Sequence, residues 1–64
     1  MSFKIGDRVE LVSMGEDPDP LAPGSQGTID YINDADPNFA QIGVKWDSGR
    51  SLMILPQYDK IRKI

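Results

Sequence analysis

Apolar and polar residues alternate from Arg8 to Leu11, with Val9 and Leu11 facing one way and Arg8 and Glu10 the other. A period of two is the mark of a half-buried strand, so residues 3–13 read as an entry segment followed by a first strand. Residues 27–32, "GTIDYI", are rich in β-branched and aromatic side chains and form a second. In residues 40–46, "AQIGVKW", Ile42, Val44 and Trp46 fall on one face. Residues 50–55 and 60–64 complete a series of five short strands separated by turn signals, the pattern of an all-β domain.

The connections are as informative as the strands. "SMGEDPDPLAPGSQGTI", Ser13 to Ile29, carries Pro18, Pro20 and Pro23, so neither a helix nor a central strand can run through it. It reads as a long, stiff loop with Leu21 turned inward and a turn at Pro23-Gly24. "NDADPN", residues 33–38, is a second polar loop. Asp47-Ser48-Gly49 is a tight hairpin in which Gly49 takes the left-handed position, and "PQYD", residues 56–59, suits one 3₁₀ turn. Long loop, medium loop, hairpin and 3₁₀ turn between five strands match a small SH3-like barrel, a closure that would also remove exposed strand edges. One domain over residues 1–64 is expected.

Within this frame several stretches resemble a short bacterial and phage-encoded family classed as a domain of unknown function. They are "GDRVELVSM", "DPDPLAPGSQGTI", "VKWDSGRSL" and "LPQYDKI". The likeness runs from Gly6 to Ile64 and supports the fold while implying no activity. More distantly, "GDRVELV" with "PGSQGTI" is similar to the KOW pattern of ribosomal and transcription proteins, and "VKWDSGR" to the Trp-Asp-x-Gly hairpin of other SH3-like modules.

Composition then narrows the chemistry. The 64 residues include no cysteine and no histidine. Thiolate zinc sites, cysteine nucleophiles and serine–histidine catalysis are excluded, and an enzyme is not expected. No cofactor or metal is expected either. Glu16, Asp17 and Asp19 are hard oxygen ligands, but Pro18 and Pro20 stiffen the loop against wrapping a cation. No apolar run approaches the roughly 20 residues of a membrane span, so a cytoplasmic, membrane-free monomer is expected.

Charge separates two candidate surfaces. Residues 13–40 hold Glu16, Asp17, Asp19, Asp30, Asp34 and Asp36 and no Lys or Arg, within a net charge of −3. With Phe39, Pro56 and Tyr58, the acids Glu16, Asp17, Asp19, Asp34 and Asp36 form a candidate groove for a basic or Pro-rich protein segment, by analogy with SH3 grooves. The alternative is a nucleic-acid (RNA) surface using Arg8, Lys45, Arg50, Lys60, Arg62 and Lys63. Against it, the sequence pI is about 4.5, and Lys60, Arg62 and Lys63 cannot share one face of a strand. A third reading is a structural accessory protein of a phage or mobile element, which calls for an exposed apolar patch buried on assembly.

Overall fold

A computed structural model describes residues 3–15 and 18–64. Five strands form one antiparallel sheet: β1 (Arg8–Ser13), β2 (Gln26–Asn33), β3 (Gln41–Trp46), β4 (Ser51–Ile54) and β5 (Lys60–Lys63). Their order across the sheet is β4-β3-β2-β1-β5, so each connection joins neighbours except the last, which carries the chain from one end of the sheet to the other.

The core follows from pairing register. Partners across a ladder point to the same side, so the inner face is built in rows. Ile32, Ile42 and Ile54 form one row, and Ile29, Val44 and Leu52 another. Val9, Gly27 and Trp46 form a third, and Leu11 with Ile61 a fourth. Leu21, from the long first loop, joins these side chains and is buried, as its sequence position implies. Its N–H donates to Met14 Sδ at 3.4 Å. The Trp46 indole N–H donates to the Leu52 carbonyl at 3.0 Å, so the largest core side chain leaves no buried donor unpaired.

Two bulges let the sheet bend around this core. In β2 the register slips by one between Ile29 and Tyr31, leaving Asp30 as the extra residue. The alternation therefore changes phase: Ile29 and Ile32 face inward, while Asp30 and Tyr31 both face out. In β1 a slip between Leu11 and Ser13 leaves Val12 extra and exposed.

Two expectations need correction. First, the sheet is not closed into a barrel: β4 and β5 share no ladder, so both edges persist. The turn between those strands carries the chain across without bringing their backbones into pairing range. Residues 56–59 do form the single turn expected of them, closed by an i to i+3 bond. The Leu55 carbonyl accepts from both Tyr58 and Asp59 N–H at 2.8 Å, giving a turn of mixed spacing. Second, a 3₁₀ helix lies at Pro37–Phe39, inside the expected polar loop. Asp36 caps it, with Oδ1 accepting the Asn38 N–H at 2.9 Å, and Pro37 supplies the first helical position. The hairpin at 47–49 and the turn at Pro23-Gly24 stand as expected, with Gly49 and Gly24 at φ of 92° and 94°.

Gly27 is the tightest point of the inner face. A methyl there would stand 2.7 Å from both the Lys45 carbonyl oxygen and Val44 Cγ1, and 3.0 Å from Trp46 Cα. Two of those atoms are backbone and cannot rotate away. Gly27→Ala is expected to destabilise the fold by about 1–3 kcal/mol, the usual cost of overpacking. Urea unfolding of the two proteins at equal m-value measures it.

Candidate binding site

Three segments meet where the chain passes from β4 to β5, held by the Asp59 carboxylate and the Gln57 side-chain amide. Asp59 Oδ2 accepts the Leu55 N–H at 2.9 Å and closes the turn of which Asp59 is the last residue. Asp59 Oδ1 accepts the Gly15 N–H at 2.8 Å, fixing the start of the long first loop against that turn. Gly15 lies so close that a methyl there would sit 2.9 Å from Tyr58 Cβ. On the other side, Gln57 donates its side-chain amide to the Asn38 carbonyl, which joins the turn to the 3₁₀ segment of the second loop.

This junction carries much of the first sequence-derived site. Phe39 and Tyr58, on the two segments joined through Gln57 and Asn38, are each 73 % exposed, so neither ring caps the core. Pro56 is exposed in the same turn, and Asp34 and Asp36 are exposed in the loop leading to Phe39. Among the described residues no Lys or Arg pairs with Asp34 or Asp36, although Asp36 is committed to its cap. Asp19 stands elsewhere: its carbonyl accepts from Arg50 Nη2 at 2.9 Å and its carboxylate lies 3.4 Å from the same guanidinium. Glu16 and Asp17 lie outside the described residues.

The second sequence-derived site is dispersed and largely neutralised. Arg8 makes a two-pronged contact with Asp47, at 2.8 and 2.6 Å, and donates to Thr28 Oγ1 at 3.1 Å. Arg62 contacts Glu10 Oε1 at 2.6 Å, its cross-strand partner in the β1–β5 ladder. Lys63 lies 3.7 Å from Asp7, and Arg50 is held by Asp19. Lys45 and Lys60 make no ion pair among the described residues, and they lie on strands separated by two others. No contiguous positive face results.

The Arg8–Asp47 contact is the place where the electrostatics are visibly perturbed. Its paired hydrogen bonds hold the Asp47 carboxyl below the usual aspartate range and the Arg8 guanidinium above its own. Among the described residues a shallow cavity of about 200 Å³ lies on the outer face of the sheet between Tyr31 and Met53, with Gly43 as its floor. Among the described residues no three or more carboxylates gather into a cation site.

Residues 1–64 match the model of a family described as "Domain of unknown function (DUF4314)". The chain belongs to this family. No curated protein and no solved structure matches it. The DUF4314 match spans both acidic loops, the junction at Asp59 and the exposed rings.

Sequence reading singled out neither Asp59 nor Gln57. Asp59 ends a Pro-initiated turn, and the turn preference of Asp was the available signal. Gln57 carries no comparable signal. Asp59→Ala should cost about 2–3 kcal/mol, since it strips a charged acceptor from two backbone donors, and amide exchange should speed at Gly15 and Leu55 before the core strands. A second expectation concerns acid. Because Asp47 has a lowered pKa in the folded state, the stability it adds is present above its unfolded value, about pH 4, and is lost as pH falls through the lower folded value. The stability difference between the wild type and Asp47→Asn should therefore be flat near neutrality and shrink below about pH 4, as read from urea midpoints.

Proposed function

We propose that this DUF4314 protein is a small, non-catalytic, SH3-like interaction module that holds a basic or Pro-rich segment of a protein partner at the Phe39–Tyr58 end of the molecule. The observation that carries the reading is the exposure of these two rings, 73 % each, on segments tied together by Gln57 and Asn38. Rings left in water by a domain with so small a core are natural platforms for proline rings or the stems of basic side chains. Asp34 and Asp36 beside Phe39 supply the charge that a basic flank would meet. Order of strands and character of connections support the SH3-like assignment: a long loop, a shorter one, a tight hairpin and a single turn link β1 to β5 in sequence. The absence of histidine and cysteine supports a non-catalytic role. Pairing of four of the six candidate cations with carboxylates argues against a nucleic-acid surface. A cytoplasmic location is part of the proposal.

The test is an amide-resolved NMR titration, with a Lys/Arg-flanked proline-rich peptide in one arm and a mixed-sequence single-stranded oligonucleotide at low salt in the other. Peptide-induced shifts are expected at Asp34–Phe39 and Gln57–Asp59. Phe39→Ala and Tyr58→Ala should each weaken that binding about tenfold, while leaving stability within about 0.5 kcal/mol because both rings are exposed. Shifts confined to Lys45, Arg50 and β5, produced by the oligonucleotide and abolished by salt, would overturn the proposal.

A further inference from the structure

The two edges of the sheet differ in character. In β5, Lys60, Arg62 and Lys63 are charged, three of its four residues, and charge of this kind discourages strand addition. The β4 edge reads Ser-Leu-Met-Ile, with no charge and no proline.

Hydrogen-bond phase determines what β4 presents to solvent. The Trp46 N–H donates to the Arg50 carbonyl at 3.2 Å, which makes Trp46 and Arg50 a bonded pair at the head of the hairpin. Bonded and non-bonded pairs alternate along an antiparallel ladder. From the register, Val44–Leu52 and Ile42–Ile54 are then bonded pairs, and Lys45–Ser51 and Gly43–Met53 are not. The N–H and C=O groups of Ser51 and Met53 therefore point away from β3, across the open edge. Among the described residues no backbone group outside the sheet bonds to either. Both side chains are exposed, and Met53, 42 % accessible, borders the shallow cavity with Tyr31, 45 % accessible.

We propose that the β4 edge is a homodimer interface, at which a second copy of the chain adds its own β4 in antiparallel register about a twofold axis at Leu52. The outward-facing residues are one position apart on either side of Leu52, so the axis sets Ser51 of each copy opposite Met53 of the other. Each such pair exchanges two N–H···O=C bonds, four in all, and the two sheets become one of ten strands. The side chains suit the pairing: a small Ser51 faces a long Met53 on the outer face, where the Tyr31–Gly43–Met53 row leaves room. The two Leu52 residues meet in a non-bonded pair, where Cα atoms approach to about 4.5 Å, with their half-buried side chains on the inner face. No charge lies in β4 to meet its own copy across the axis. The same operation on β5 would crowd Lys60, Arg62 and Lys63 against their copies, which is unfavourable. This surface is separate from the Phe39–Tyr58 end, and the inference does not rest on the function proposed for it.

Sedimentation velocity between about 1 μM and 1 mM, the span over which weak interfaces dissociate, tests the assignment together with amide exchange. The mass is expected to rise from monomer to dimer with concentration. Exchange at Ser51 and Met53 should slow in step, while Leu52 and Ile54, already bonded to β3, stay unchanged. Met53→Lys should raise the dissociation constant about tenfold or more by placing like charge on both sides of the edge. Its monomer should melt as the wild type does at low concentration. A wild type that stays monomeric throughout would overturn the assignment. So would a dimer that Met53→Lys leaves intact and in which the Ser51 and Met53 amides stay unprotected.

Discussion

A single sheet with no long helix lying on it among the described residues can bury apolar side chains only by bending over them itself, and this constraint governs the molecule. Everything distinctive in the backbone serves the bend. The extra residues Asp30 and Val12 increase local twist in β2, the central strand of the order, and in its neighbour β1. Gly27 removes a side chain where β2 must lie against Val44 and Trp46. Trp46 then fills the space enclosed, and its single polar atom is satisfied within the hairpin that carries it. Leu21 enters from the loop, so the first connection becomes part of the core it spans. A chain of this length buries only about 60 % of its unfolded surface, which leaves few apolar contacts to spare and gives each of these features weight.

The loops are organised by a different means, through hydrogen bonds to backbone groups rather than through packing. Asp59 joins the β4–β5 turn to the first loop, and Gln57 joins it to the second, so the connections that leave the sheet are fixed relative to each other. With the loops fixed in this way, Phe39 and Tyr58 can be held in water without collapsing onto the core. A rigid frame that presents exposed rings costs a partner less ordering on binding than a flexible one.

Residue patterning made the strands and most of the core legible. Val9 with Leu11, and Ile42 with Val44 and Trp46, declare their faces by strict alternation, and positive φ at Gly24 and Gly49 follows from the turn chemistry around them. Alternation fails in β2, where the bulge at Asp30 turns Tyr31 outward and Ile32 inward, because a bulge changes phase without any obligatory residue type. Asp36-Pro37 was a helix-start signal inside a segment dominated by polar residues. Closure of the sheet could not be read from strand count, since it depends on how far β4 and β5 are brought together. For the site, Phe39, Pro56 and Tyr58 were identified by residue type and position. Asp19 was already engaged by Arg50, a long-range pairing that local patterning does not reveal.

The position of β1 between β2 and β5 has a consequence for biosynthesis. β1 contributes Val9 and Leu11 to the core, yet one of its two flanking ladders is formed with Lys60–Lys63, the last of the five strands in chain order. During translation the first strand can pair with β2 once that strand emerges, but its other edge stays open until residues 60–63 have left the ribosome. A β2–β3–β4 meander with β1 attached can therefore assemble early, whereas the complete sheet forms only once β5 has emerged. The ladder that finishes the sheet joins residues far apart in sequence, Glu10 with Arg62 among them, and long loop closure of this kind is slow relative to local pairing. For that interval the charges of β5 are not yet on the sheet, and the open edge of β1 is shielded only by what else the cell supplies.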